Sequence, residues 1–281
     1  MDKPMLSRRV IGVTLALLAA AALRGNSKGS NASWGQTDKL YRHHHSLLIY
    51  YGDRYDEIPD EYSLIVIEDR ISSEPFVRQR LRSTVLGYVS LAEVHSAKPF
   101  FSRLQSKGIL KGPNSNWPDA HYVDVRSEVW RDLLLHEVIP SILKKGYQGI
   151  FLDTLDSAET LERQDPVRSK GMIAAAADLI RAIRSTYPSI LIMINRGYAV
   201  LPHIPGEFDY LLGESVRATF DPKSGGYYRR TEQDIDWQRA RMFEARDRDA
   251  SLQLFSLDYW DPSDRAGLAE LYGNGVAGRN S

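Results

Sequence analysis

Short apolar runs bounded by turn residues recur along most of this chain. Runs of this length between glycines, prolines and polar clusters are typical of strands that are buried on both faces. Between them lie longer stretches with helical periodicity, and strands that alternate with helices predict a parallel sheet. The predicted strands are Ser46–Tyr51, Ser63–Glu68, Thr84–Ser90, Gly149–Asp153, Ile190–Asn195, Tyr210–Glu214 and Leu252–Asp258.

Four stretches between these strands are predicted to be helical. Ser127 is a plausible N-cap for the second of them, and Gly146 ends it. In the last, Ile235, Arg239, Met242 and Phe243 recur at helical spacing. The predicted helices are Glu74–Arg82, Ser127–Lys145, Pro166–Tyr187 and Thr231–Arg246.

A (β/α)8 TIM-type barrel is the fold class that best fits this alternation in a chain of 281 residues. An open doubly wound sheet is the alternative, but no GxGxxG or phosphate loop follows the first strand, which disfavours its nucleotide-binding form. After Trp260 only residues 261–281 remain, and their glycine-rich end does not resemble a strand. We therefore expect the last strand to be missing or irregular, with no second domain.

The N-terminus has the pattern of an export signal. Lys3, Arg8 and Arg9 precede the mostly apolar stretch Val10–Leu23, which is short for a membrane span. The paired arginines are also compatible with the twin-arginine route. We expect a signal peptide over residues 1–23, a flexible linker over 24–40 and a barrel domain over 41–281, with a periplasmic or extracellular product that keeps no membrane span.

Charge and composition narrow the class of partner. Lysine plus arginine and aspartate plus glutamate are 36 each, so the formal net charge is zero, which argues against nucleic acid as the main ligand. The chain has no cysteine and so no disulfide. Adjacent histidines at 43–45 cannot all face one ion on a strand, and no spaced ligand set accompanies them. We expect neither a metal nor a cofactor, and the oligomeric state is left open.

Two acidic residues, Asp153 and Glu214, stand at the ends of the fourth and sixth predicted strands. The C-terminal ends of barrel strands meet at one face, where barrel enzymes keep their catalytic groups. Two carboxyl groups there suit glycoside hydrolysis, in which one protonates the leaving oxygen and the other attacks or activates water. The alternative is structural: Asp153 caps the following turn, and Glu214 pairs with an arginine such as Arg217.

Several motifs in order resemble glycoside hydrolase family 114, the endo-α-1,4-polygalactosaminidases, and the related hydrolase domain of enzymes that process the Pel exopolysaccharide. The resemblance implies a nucleophile at Asp153, a general acid/base at Glu214, and an α-1,4-linked galactosaminyl polymer as substrate. Ala92 departs from the family's usual glycine, and the missing last strand departs from its barrel. The motifs are Gly87–Glu93, Asn116–Pro118, Tyr122–Arg126, Gly149–Asp156, Asn195–Gly197, Gly213–Ser215 and Leu257–Tyr259.

Eight further residues near strand ends are candidates for substrate binding. Acids at a cleft mouth favour a cationic sugar, aromatic rings stack on sugars, and Asn195 and Arg196 could bind substrate or orient a carboxylate. Arg196 would also help keep Asp153 ionised. The alternatives are that the acids cap turns or pair with Arg196 and Lys98, and that the aromatics pack. The candidates are Tyr88, Glu93, Trp117, Asp156, Asn195, Arg196, Asp258 and Tyr259.

Two functions compete with an exported endo-acting glycoside hydrolase. A barrel with an incomplete wall could bind carbohydrate without cleaving it, or serve a structural role without binding sugar. The acidic and aromatic residues at the strand ends disfavour the structural role.

Overall fold

A computed structural model describes residues 46–272, except Asp53, Ile71, Ser72, Arg80, Leu81 and Pro222. The predicted signal peptide, the linker and the histidines at 43–45 lie outside the described residues. The strands are β1 Leu47–Tyr50, β2 Leu64–Glu68, β3 Thr84–Ser90, β4 Glu93–His95, β5 Leu110–Pro113, β6 Ala120–Val123, β7 Gly149–Asp153, β8 Leu191–Asn195, β9 Tyr210–Glu214, β10 Ala218–Asp221, β11 Gly226–Arg229 and β12 Gln253–Leu257.

Seven of these strands form one parallel sheet in the order β1-β2-β3-β7-β8-β9-β12. They are the seven strands predicted from the sequence, and no strand end differs by more than one residue. Neighbours in the sheet are successive predicted strands, as winding in one direction requires. The register pairs Ser90 with Asp153 and Leu257 with Glu214, so each acid lies beside the end of a neighbouring strand.

The sheet is rolled into a nearly closed barrel. One buried cluster contains side chains from all seven strands, including Leu47 and Ile49 of β1 and Phe255 and Leu257 of β12. The two edge strands can share an interior only if the sheet curls round, which confirms the TIM-type barrel over the open doubly wound sheet. Within the described residues β1 pairs only with β2 and β12 only with β9, which leaves a seam where the irregular last strand was expected.

Helices cover the outside of the barrel. The alternate side chains of the strands, such as Leu48, Ile65 and Ile150, pack against them in a second buried cluster. The α-helices are α1 Glu74–Gln79, α2 Phe101–Ser106, α3 Glu128–Leu133, α4 Ile139–Lys144, α5 Asp156–Gln164, α6 Met172–Thr186, α7 Glu232–Arg248 and α8 Arg265–Tyr272. Within the part of the chain that the structure describes, no helix is long and apolar enough to cross a membrane.

Two of the predicted helices differ from the structure. The helix expected over Ser127–Lys145 is α3 and α4 joined by a π-helical segment, Leu134–Val138. Pro140 follows that segment, and because proline has no N–H and crowds the carbonyl four residues earlier, the hydrogen-bond pattern changes there. The helix expected over Pro166–Tyr187 begins only at Met172, after the left-handed Gly171.

Two extensions that the apolar pattern did not predict rise beyond the strand ends. The antiparallel sheet β4-β6-β5 lies between β3 and α3 in the chain, and the hairpin β10–β11 lies between β9 and α7. Both follow the C-terminal end of a barrel strand, so they flank the face on which Asp153 and Glu214 lie.

Candidate active site

Asp153 and Glu214 are joined through a single amide group. They end β7 and β9, and Asn195 ends β8 between them. Asn195 Nδ2 donates to Asp153 Oδ1 at 2.9 Å and to Glu214 Oε2 at 2.6 Å. These two oxygens can therefore lie no further apart than about 5.5 Å, which is compatible with the roughly 5 to 5.5 Å of a retaining pair and shorter than the roughly 6.5 to 9.5 Å of an inverting one.

A tyrosine completes the hydrogen bonding of each carboxyl group. The Tyr88 hydroxyl donates to Asp153 Oδ2 at 2.8 Å, and the Tyr259 hydroxyl donates to Glu214 Oε1. Both rings lie against the barrel-interior cluster, and Tyr51 packs edge-on against Tyr88. Burial raises the pKa of Tyr88 and of Tyr259, so both remain hydrogen-bond donors at neutral pH.

The environment of Glu214 favours its protonated form. Burial raises the pKa of Glu214 above its usual value, and the nearby Asp153 charge raises it further. The hydrogen bonds from Tyr259 and Asn195 act in the opposite direction because they stabilise the carboxylate. A carboxyl group that keeps its proton to higher pH beside a second carboxyl group is the arrangement that a general acid requires.

The backbone after each of these three strand ends has the same unusual conformation. Thr154, Arg196 and Ser215 directly follow Asp153, Asn195 and Glu214, and their φ angles are 65°, 53° and 54°. The left-handed region is uncommon for non-glycine residues, and for a β-branched residue such as Thr154 it is strained. The turn at Thr154 is held by its Oγ1, which accepts from Ala92 N at 3.0 Å and bonds Ser90 Oγ at 2.8 Å.

Helix α7 supports Glu214 from behind. A Cβ added at Gly213 would lie 2.5 Å from Met242 Sδ and 2.8 Å from Val216 Cγ2, so a larger residue there would force these side chains to move. The buried Gln238 donates from Nε2 to Ser215 O at 2.9 Å, and its Oε1 accepts from the Tyr198 hydroxyl at 3.0 Å. Sequence reasoning missed Gln238, because one polar residue on an amphipathic helix carries no signal of the strand end that it contacts.

Three of the predicted acids are bonded within the protein. Glu93 Oε1 accepts from Asn114 Nδ2 at 2.9 Å and from Ser157 Oγ at 2.5 Å. Asp156 Oδ1 accepts from Gly197 N, and its Oδ2 lies 3.2 Å from Arg196 Nε. Arg196 thus forms its ion pair with Asp156, rather than with Asp153 as the sequence suggested.

Asp258 fixes the hairpin that follows β9. Its Oδ1 accepts from the backbone N–H groups of Arg217 and Ala218, at 2.6 and 3.0 Å, and its Oδ2 is buried without a hydrogen-bond partner. Burial raises the pKa of Asp258. The Arg217 side chain donates to Leu271 O and forms no ion pair with Glu214. The structural alternative proposed for Glu214 is therefore not what the structure contains.

Trp117 lies apart from this hydrogen-bonded group, in the loop between β5 and β6. Its backbone N–H donates to Asn114 O, and its side chain is 61% exposed. Ala92, which replaces the family's usual glycine, is fully buried and bonds to Thr154 and Val123. Among the described residues, no group of three or more His, Cys, Asp or Glu side chains could hold a metal ion.

Two solved structures are similar to this fold. The glycoside hydrolase domain of PelA from Pseudomonas aeruginosa is 26% identical, with a TM-score of 0.69 over 81% of this chain and 89% of that one. Ega3 from Aspergillus fumigatus, determined in complex with galactosamine, is 12% identical, with a TM-score of 0.59 over 82% and 86%, and shows the fold alone. No curated protein sequence matches the chain significantly.

The family model of glycoside-hydrolase family GH114 matches residues 26–275, which is most of the chain. This confirms the resemblance that the motifs indicated, and it agrees with the barrel and with the carboxyl pair at its C-terminal face. The chain therefore belongs to glycoside-hydrolase family GH114 and is a glycoside hydrolase.

Proposed function

We propose that this protein is an exported, endo-acting hydrolase of an α-1,4-linked galactosaminyl polymer, with Asp153 as nucleophile and Glu214 as general acid/base. The observation that supports the assignment is the Asn195 bridge, which keeps one oxygen of each carboxyl group close enough to the other for a retaining pair. Burial and the Asp153 charge raise the pKa of Glu214 and so favour its acid form, as a general acid requires.

In the first step Asp153 attacks the anomeric carbon, and the bond to the leaving oxygen breaks. Glu214 gives its proton to that oxygen, so the departing chain leaves as a neutral alcohol. Tyr88 and Asn195 hold Asp153 through one oxygen each, which limits the orientations from which it can attack.

In the second step Glu214, now a carboxylate, takes a proton from water while the water oxygen attacks the anomeric carbon. The ester bond to Asp153 breaks, and the sugar is released with its original configuration. During this step Tyr259 and Asn195 donate to the Glu214 carboxylate, which stabilises the charge that it carries between the two proton transfers.

The polymer is proposed to consist of galactosamine and N-acetylgalactosamine. Family membership supports this choice, and so does the similar fold of Ega3, whose structure contains galactosamine. Two carboxyl groups with aromatic residues beside them suit an amino sugar, because the ammonium group is attracted to the acids and a sugar ring can stack on an aromatic face.

Export is proposed from the N-terminal pattern of Lys3, Arg8 and Arg9 before the apolar stretch Val10–Leu23. Mass spectrometry of the protein recovered from a secreting host would test it by locating the mature N-terminus. A mature chain that begins near residue 24 supports export, and an intact N-terminus in the cytoplasm contradicts it.

The hydrolytic activity is tested by product release from purified α-1,4-galactosaminyl polymers, both acetylated and partly deacetylated. Wild type should release oligosaccharides, whereas Asp153→Asn and Glu214→Gln should lose turnover by about four orders of magnitude and about two to four orders, respectively. Asp132→Asn, an exposed carboxylate on α3, is the matched control and should retain full activity. The preferred polymer identifies the substrate.

Product size distinguishes endo from exo cleavage, since internal cuts shorten the polymer before short products accumulate. A folded wild type that leaves both polymers intact but is retarded in gels containing them would instead be a carbohydrate-binding barrel. Activity that survives in Asp153→Asn would contradict the assignment of Asp153 as the nucleophile.

A further inference from the structure

The β10–β11 hairpin has two faces of different chemistry. Phe220 and Tyr227 are cross-strand partners on one face, and their ring centroids are 5.1 Å apart. Thr219 and Tyr228 form the next pair and lie on the opposite face, because successive residues of a strand alternate. The Tyr228 hydroxyl bonds back to Ser224 in the hairpin turn.

The Phe220–Tyr227 face continues into the segment that follows β12. The Tyr227 ring lies 6.5 Å from that of Trp260, and Trp260 directly follows Tyr259, whose hydroxyl donates to Glu214. The backbone makes the same connection, since Tyr259 N donates to Ala218 O at 3.3 Å. Phe220, Tyr227 and Trp260 thus form a row of aromatic side chains along the hairpin, and the backbone at one end of this row carries Tyr259, the partner of Glu214.

The outermost member of this row is open to solvent. Tyr227 is 38% exposed, whereas Phe220 and Trp260 are half-buried. Arg229 stacks over Trp260 at 5.0 Å and pairs with Glu270 at 2.8 Å, so one side of the indole is covered by the protein itself. Tyr227 is therefore the ring of this row that is best placed to contact an external ligand.

The position of the row relative to the two carboxyl groups defines which end of a bound polymer it could meet. In the barrel the order is β7-β8-β9-β12, and the hairpin contacts the segment that follows β12, so the hairpin lies nearer to the strand of Glu214 than to that of Asp153. A general acid protonates the leaving oxygen, and the leaving half of the substrate therefore lies on its side.

We propose that Phe220, Tyr227 and Trp260 form a binding surface for the leaving-group half of the polysaccharide, where sugar rings stack beyond the scissile bond. This rests on the proposed function, since it takes Glu214 as the acid. Aromatic rings stack on the apolar face of a sugar. A polysaccharide that extends over the hairpin would gain binding energy from sugar units beyond the scissile bond, which favours long substrates for an endo-acting enzyme.

Two substrates and three variants test this surface. The substrates are the long galactosaminyl polymer and an aryl oligosaccharide whose leaving group is a nitrophenyl ring, too short to reach the hairpin. In Tyr227→Ala the fold decrease in kcat/KM should be about two to ten times larger on the polymer than on the aryl substrate. Tyr227→Phe keeps the ring and should restore wild-type preference. Tyr228→Ala removes an equal ring from the opposite face and should match wild type on both substrates.

The inference is overturned if Tyr227→Ala lowers kcat/KM equally on both substrates, or if Tyr228→Ala has the same effect as Tyr227→Ala. In either case the hairpin would affect activity only through its folding. Retardation in polymer-containing gels gives a readout that does not need turnover. If wild type cleaves neither substrate, the proposed function fails. The binding surface is then still supported if the polymer-containing gel retards Tyr227→Ala less than it retards wild type and Tyr228→Ala. Equal retardation of all three would exclude the surface.

Discussion

The amide nitrogen of Asn195 lies 2.6 Å from Oε2 of Glu214, and its second hydrogen is bonded to Asp153. Its own carbonyl oxygen is buried without a hydrogen-bond partner in the protein. Asn195 therefore serves as a spacer between two carboxyl groups that would otherwise repel each other.

Replacing Asn195 by alanine should lower kcat about 10- to 100-fold, because both carboxyl groups lose a positioning donor. The hydrogen bond from Asn195 lowers the pKa of Glu214, so its loss should also move the alkaline limb of the pH–rate profile upward. The profile and the thermal midpoint are measured together. A lower kcat with an unmoved limb would indicate that Asn195 acts only on the packing of β8.

Removing the Tyr259 hydroxyl should also extend activity toward higher pH. Its hydrogen bond stabilises the Glu214 carboxylate, and without it Glu214 keeps its proton to a higher pH. In Tyr259→Phe the alkaline limb of the pH–rate profile should move to higher pH, while the acid limb should not move. Tyr147→Phe is the control, because it removes a buried hydroxyl that bonds Ser73 on another part of the barrel. A limb that moves downward would contradict the assignment of Glu214 as the acid.

Glu214→Gln should be more stable than wild type at neutral pH. Because the pKa of Glu214 is raised by folding, the folded state binds this proton more tightly than the unfolded state does. The contribution of Glu214 to stability is therefore complete below the unfolded pKa of about 4.3, and it is lost as the pH rises through the folded-state pKa. The advantage of the variant should therefore grow with pH. Urea unfolding across this range measures it, and a variant that is less stable at every pH would refute the prediction.

Asp258 should matter for stability more than for substrate binding. Asp258→Ala leaves the N–H groups of Arg217 and Ala218 without their acceptor, which should cost about 2 to 5 kcal/mol. Asp258→Asn keeps an acceptor oxygen at that position and should cost less than half as much. Denaturant unfolding of the two variants decides between this role and a direct contact with sugar, which would change KM without changing stability.

The barrel could be predicted from the sequence because its signals are local. Each strand is a short apolar run with an identifiable end, and the acids at 153 and 214 terminate two of them. Parallel strands in sequential order then bring those ends to one face without further information. The positions of Asp153, Asn195 and Glu214 follow from this rule alone.

The partner of each acid could be predicted only as one of several alternatives, since it depends on contacts between distant segments. Arg196 is next to Asn195 in the chain, yet its left-handed backbone directs it to Asp156. Asp258 has the sequence position of an acid in the cleft, but its Oδ1 accepts hydrogen bonds from backbone N–H groups at the start of the hairpin after β9. That hairpin and the β4-β6-β5 sheet are short and largely polar or half-buried, so they lack the apolar runs that reveal the barrel strands.

The strained residues after β7, β8 and β9 have a consequence for how the enzyme could be evolved in the laboratory. Glycine adopts their backbone angles at no steric cost, so selection for heat resistance alone should favour Ser215→Gly, by about 0.5 to 2 kcal/mol at most. The same change would free the segment beside Glu214 to sample other orientations. Variants that survive heating would then be expected to turn over more slowly, and robustness and catalytic speed would have to be selected together.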